Sequence, residues 1–147
     1  MKQKNIAEPL DIDTLGYYLD RALNVMIKLL NKTFAESDID LQHAQYTVLK
    51  VLWCCEGISQ SRLSRQLGKD PAAVSRALNY LESKGYIERR VTNGKTNGIF
   101  LTEYANSRKV EIESVADLVT DKATSGMTLH QKDSLKQLLN TVYNNIK

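Results

Sequence analysis

The sequence is poor in the residues that punctuate turn-dense folds, with 7 glycines and 2 prolines among 147 residues. All-β architectures and disordered low-complexity chains are therefore poor candidates, and helix is expected to dominate. Cysteine is scarcer still: Cys54 and Cys55 are adjacent and cannot build a disulfide framework, and with His43 and His130 as the only imidazoles there is no zinc-ligand spacing. No metal and no cofactor is expected. No apolar run approaches the roughly 18 residues a membrane span needs, and the stretch from Met1 to Leu10 has lysines without an apolar segment behind them. A soluble, cytoplasmic protein with no membrane partner is the expectation. No nucleophile, base and orienting group cluster in sequence, so an enzyme is not expected.

Charge of one sign is not in large excess, since 20 basic and 17 acidic residues leave a net +3. The distribution says more than the total. Between Ser59 and Phe100 eight basic residues face three acidic ones, a local +5, which leaves −2 for the remainder. A basic middle between slightly acidic ends points to a polyanion-facing module held by flanking segments. With 42% hydrophobic and 25% charged residues, the length suits a single domain spanning 1–147.

Apolar residues from Leu15 to Phe34 recur at intervals of three and four, the signature of a long amphipathic helix, for which Asp11 or Asp13 is the candidate cap. A polar break at 35–40 precedes a second helix near 42–55, stopped by Gly57. Ser59 caps a short third helix with Leu63 and Leu67 inward, and Gly68 ends it. Asp70 followed by Pro71 starts a fourth helix that buries Val74, Leu78 and Leu81 and ends at Gly85. The third and fourth helices form a helix-turn-helix in which the fourth is the candidate reader. Two short strands follow, 86–92 and 95–101, around an Asn93-Gly94 turn of the two-residue type. Thr102 caps a helix toward Lys122, and Thr128 with Gln131 forms a capping box for a last helix.

Gln45-Tyr46, Val48-Leu49, Leu63, Leu67-Gly68, Asp70, Val74-Ser75-Arg76, Leu81-Glu82, Lys84-Gly85 and Leu101-Thr102, in that order and spacing, resemble the multiple-antibiotic-resistance regulator (MarR) family. The resemblance covers nearly the whole chain. It implies a mostly α fold with a small β-hairpin, in which a winged helix-turn-helix lobe, 41–102, is flanked by dimerisation helices at 11–35 and 103–147. It also implies a homodimeric transcriptional regulator, mostly repressing, on a near-palindromic site in double-stranded DNA. A small effector, often phenolic or otherwise anionic, is implied between the dimerisation helices and the lobe, where Tyr17, Tyr18, His43, Tyr46 and Trp53 are the candidates. Three positions depart from the family pattern. Gln42 stands where Thr or Ser usually caps the second helix, so that cap is expected to be weaker or to lie elsewhere. Asn93-Gly94-Lys95 replaces an Asp-x-Arg wing element, and Ala105 replaces a glycine.

The residues assign the DNA contacts as follows. Arg76, one turn into the reading helix, can reach guanine O6 and N7 or a phosphate, and its plain alternative is a solvated arginine. Ala72 and Ala73 are small enough for the helix to enter the groove and touch thymine methyls, or are simply good helix formers. Ser75 and Asn79 are polar groove candidates. Arg89, Arg90 and Lys95 are wing cations that also protect an edge strand from aggregation. Cys54 and Cys55 are expected as buried, inert small side chains. The apolar stripes of the first and last helices exceed what a small core covers, and a second chain is the expected cover. The rival reading is a protein-interaction or assembly module that keeps the fold and has lost DNA binding.

Overall fold

The computed structural model describes residues 14–92 and 96–147. Among them, six helices and three short strands follow in the order α1 (Leu15–Glu36), α2 (His43–Cys54), β1 (Ile58–Ser59), α3 (Gln60–Leu67), α4 (Pro71–Ser83), β2 (Ile87–Thr92), β3 (Thr96–Leu101), α5 (Glu103–Ala123) and α6 (Leu129–Ile146). Asp11 and Asp13 lie outside the described residues, and Thr14 holds the N-cap position of α1 without a side-chain cap bond.

The other helix starts follow the sequence closely. Ser59 Oγ accepts from Arg62 N–H, Asp70 Oδ1 from Ala72 N–H, and Thr102 Oγ1 from Ala105 N–H, each at 3.2 Å. These bonds satisfy first-turn donors that have no partner within the helix. The start of α2 is held differently. Gln45 Oε1 accepts from the Gln42 backbone at 2.8 Å, and Asn31 Oδ1, from α1, accepts from His43 N–H at 2.7 Å. Asn31 thus satisfies a first-turn donor of α2 from a neighbouring helix and fixes α2 against α1.

Strand β1 was not legible in the sequence. Two residues long, it pairs antiparallel with β3, so the wing is a three-stranded sheet in the order β1-β3-β2 with Ile58 opposite Ile99. The hairpin register sets Thr92 opposite Thr96. A two-residue Asn93-Gly94 turn would set Thr92 opposite Lys95, so the register corrects the expected turn by one residue. Residues 93–95 themselves, Lys95 included, lie outside the described residues.

One core joins the lobe to the lower half of α1 and the middle of α5. Leu49, Leu52, Leu63, Leu78, Leu81 and Tyr86 are fully enclosed, joined by Phe34 of α1 and Ile112 of α5. Ala105 is also fully buried, so the position where the family usually has glycine holds a small side chain inside the core. The upper half of α1 and all of α6 behave otherwise. Leu15, Leu23 and Met26 on α1 and Leu138, Leu139, Tyr143 and Ile146 on α6 are exposed, and α6 buries no residue. Tyr104, Val110 and Leu118 of α5 are exposed as well.

Cys54 and Cys55 are exposed, against the expectation that they are buried. The buried face of α2 is Val48, Leu49 and Leu52, and the helix ends at Cys54 before that face recurs.

Candidate nucleic-acid interface

Pro71 at the first position and the Asp70 cap fix where α4 begins, and Val74, Ala77, Leu78 and Leu81 anchor its inner face in the core. The residues between those anchors are left on the outside. Ala72, Arg76 and Asn79 are exposed and Ala73 and Ser75 half-buried, so the five candidates on α4 share its outer side. Among the described residues no hydrogen bond or ion pair holds the Arg76 guanidinium.

The two described wing cations are held from within the chain. Arg89 Nη2 donates to Asn79 Oδ1 at 2.9 Å, and Arg89 Nε lies 3.5 Å from Glu82 Oε2. These contacts tie β2 to the reading helix and occupy one acceptor of Asn79. Arg90 pairs with Glu88 and lies over the Phe100 ring, 4.6 Å from its centre. Both contacts fix wing geometry as well as charge.

A concavity of about 550 Å³ opens at the turn between α3 and α4, lined by Gln60, Ser61, Ser64, Arg65, Gly68, Lys69 and Pro71. Gly68 makes the turn at φ 61°, a left-handed conformation that favours glycine. Lys69 is half-buried, its pKa lowered by that burial, and its ammonium donates to Thr47 Oγ1 at 3.3 Å. Gln60, Ser61, Arg65 and Lys69 were not singled out from sequence. The signal was present in the local charge excess, which counts Arg65 and Lys69, but a turn that gathers α3 and α4 onto one surface is not visible in a linear pattern.

A polar cluster around the enclosed Tyr86, open to solvent at Asp40 and Glu111, sets how the lobe meets α5. The Tyr86 hydroxyl donates to Asp40 Oδ1 at 2.5 Å and accepts from Arg108 Nη1 at 2.8 Å. Arg108 reaches Tyr104 Oη at 3.2 Å and Glu111 Oε2 at 3.3 Å, and Tyr80 Oη donates to the Asp40 carbonyl at 2.5 Å. The α1–α2 connection, the end of α4, the start of β2 and α5 thus meet at Asp40. Burial, with the Asp40 bond, pushes the Tyr86 phenol well above the ordinary tyrosine range. It stays protonated and keeps donating.

Of the five effector candidates the structure brings two together. His43 and Tyr46 line a cavity of about 150 Å³ with Leu23, Met26 and Leu30 of α1 and Ala116, Val119 and Thr120 of α5. Tyr17 and Tyr18 pack edge-to-face on each other near the start of α1, 5.7 Å between centres, away from that cavity. Trp53 packs half-buried against the core and does not line it either. Burial lowers the His43 pKa, as does Lys69. Burial raises that of Tyr46 to about 12, helped by the Glu113 and Asp117 carboxylates.

The MarR family profile matches residues 41–93, the stretch that runs from the start of α2 through the reading helix into the wing. The uncharacterized HTH-type transcriptional regulator YybA of Bacillus subtilis is 30% identical over 139 residues, covering 93% of this chain and 87% of that protein. The chain belongs to the MarR family. Among solved structures, a mutant MarR from E. coli complexed with operator DNA matches with a TM-score of 0.75 at 25% identity, over 87% of this chain and 92% of that one. A MarR transcriptional regulator from Methanosarcina mazei matches with a TM-score of 0.79 at 20% identity, over 89% and 94%. The winged-helix architecture of this MarR-family chain thus matches that of solved MarR structures. No helix among the described residues is long and apolar enough to cross a membrane.

Proposed function

We propose that this MarR-family chain is a homodimeric, cytoplasmic, sequence-specific regulator of transcription that acts mainly as a repressor. Two copies present two α4 helices to successive major grooves, about 34–36 Å apart, on a near-palindromic operator. The observation that carries the reading is the outer side of α4, where Arg76 stands without a partner among the described residues, between the small side chains of Ala72 and Ala73 and the polar Ser75 and Asn79. Arg76 reads a base edge, while Arg65 and Lys69 at the neighbouring turn follow phosphates. Arg89 and Arg90 shape the wing, and Lys95 adds a phosphate contact. The mutant MarR structure with operator DNA supports the same use of the fold.

Salt-dependent binding to random duplex DNA tests the reading, followed by a footprint on the promoter region shared with neighbouring genes. A phosphate-tracking surface must lose affinity steadily as salt rises. One observation favours a second reading, a winged-helix interaction module that has lost DNA binding: both described wing cations are engaged within the chain. Absence of duplex binding at low salt would select that module.

The effector site belongs to the crevice around His43 and Tyr46. At about 150 Å³ it is smaller than the roughly 300–1,000 Å³ of a ligand pocket, and the exposed Leu23 and Met26 on its wall leave its outer side to a second chain. With Glu113 and Asp117 nearby, the site favours a neutral phenol over a carboxylate. Such a ligand acts only by preferring one separation of the reading helices. Calorimetry on free and operator-bound dimer checks this, and equal affinity for both excludes the coupling.

A further inference from the structure

The DNA-binding reading uses neither thiol of the chain, yet both are free and exposed. Neighbouring residues of a continuous helix point about 100° apart, which would send the two side chains to different surroundings. α2 ends at Cys54, however, and Cys55 takes φ −150° and ψ 87°, outside the helical region. Leaving the helix at that point puts both cysteines on one cavity of about 440 Å³, shared with Lys50, Val51, Ile58, Arg62 and Gln66. No described residue of α1 or α6 lines it, so the apolar faces expected to join two chains do not include it.

We propose that Cys54 and Cys55 form a dithiol site for trivalent organoarsenicals. Thiolates select soft, thiophilic centres, and here two thiol-bearing residues line the same cavity. No cluster of three or more His, Cys, Asp or Glu suited to a metal occurs among the described residues, so the four ligands of a structural zinc are not provided there. Trivalent arsenic that carries one carbon substituent needs two more bonds, which is what the pair supplies. The first arsenic–sulfur bond makes the second intramolecular, and a high effective concentration holds the chelate closed. Val51 and Ile58 give the organic substituent an apolar wall.

The step balances without an oxidant or a reductant. In water an aryl arsenoxide is the dihydroxide; each thiol gives its proton to one hydroxyl, two water molecules leave, and two arsenic–sulfur bonds replace two arsenic–oxygen bonds. Arsenic stays trivalent throughout.

Phenylarsine oxide and the intact reduced chain provide the test. The expected result is one phenylarsenic per chain in the intact mass, released by a dithiol but resistant to a monothiol, with a raised melting temperature because the folded cavity binds better than the unfolded chain. Cys54→Ser and Cys55→Ser, each checked for folding by circular dichroism, are expected to weaken binding about 100-fold or more by removing the chelate. If either single variant binds as tightly as the natural chain, or a monothiol strips both equally, the proposal is overturned. An unchanged melting temperature with tight binding would also overturn it, since the dithiol would then owe nothing to the cavity. DNA binding enters neither readout, so this result and the DNA-binding reading stand or fall separately.

Discussion

The lobe from α2 to β3 and the flanks, the upper half of α1 and all of α6, use apolar residues to opposite ends. In the lobe the apolar side chains close on one another: Leu49, Leu63 and Leu78 are 0% exposed. On the flanks the same residue type faces outward, with Leu23 49% and Leu138 65% exposed. Periodicity alone cannot tell the two cases apart, because an amphipathic stripe records only that a face is to be covered. What distinguishes them is the presence of a partner layer within the chain. The lobe has one, and α6 makes little contact beyond the bond from Tyr143 Oη to the Arg65 carbonyl at 3.2 Å.

The most severe way to break this contrast is to remove α6. A chain ending at Asp133 is expected to lose dimerisation and to aggregate or unfold, because the apolar face of α1 loses the partner surface that α6 helps to build. Size-exclusion chromatography with light scattering checks this, and a well-behaved folded monomer would count against it. A core change sharpens the other side. Leu78→Ala should destabilise by about 2–5 kcal/mol in urea titrations through lost burial and a cavity. Leu138→Ala should instead act through association, its effect growing on dilution.

Smaller effects follow from polar groups. Tyr86→Phe strips Asp40 and Arg108 of a buried partner and should cost about 1–3 kcal/mol, read by chemical denaturation. Arg76→Ala should leave stability unchanged but weaken operator binding by about 1–3 kcal/mol and relax preference at one base pair per half-site, measured by anisotropy on operator and random duplexes. Intact discrimination would withdraw Arg76 as a reader. Lys95→Ala should weaken both duplexes alike and lower the salt slope by about one unit per lysine removed.

The smallest effect is a pH dependence. His43 titrates below its ordinary value of 6.5 because burial, then Lys69, disfavours its charged form. On acidification the unfolded chain takes up the proton first, so the stabilisation present above 6.5 is lost as pH falls through the lowered value. His43→Gln should flatten that part of the stability profile, as followed by thermal melts across the range.

The helix boundaries were legible because their punctuation is local. Ser59, Asp70-Pro71 and Thr102 act within three residues of themselves, and the structure places each at its helix start. What needed the third dimension was hidden. Strand β1 is defined only by its pairing with β3, the cap from Asn31 reaches α2 across twelve residues, and the Asp40–Tyr86–Arg108 cluster joins residues up to 68 apart. That the five α4 candidates lie on the outer side of the helix was readable from helical spacing. Tyr17, Tyr18, His43, Tyr46 and Trp53 are candidates for a pocket that only the resemblance implies, and only two of the five line the crevice.

Sedimentation equilibrium of the intact chain, alone and on an operator-length duplex, is the most direct test that the outward apolar faces of α1 and α6 exist to pair two chains. The account predicts twice the chain mass in solution across micromolar concentrations and two chains bound per site. A stable, soluble monomer that keeps the α1 and α6 apolar faces in water, or one chain bound per site, would contradict it.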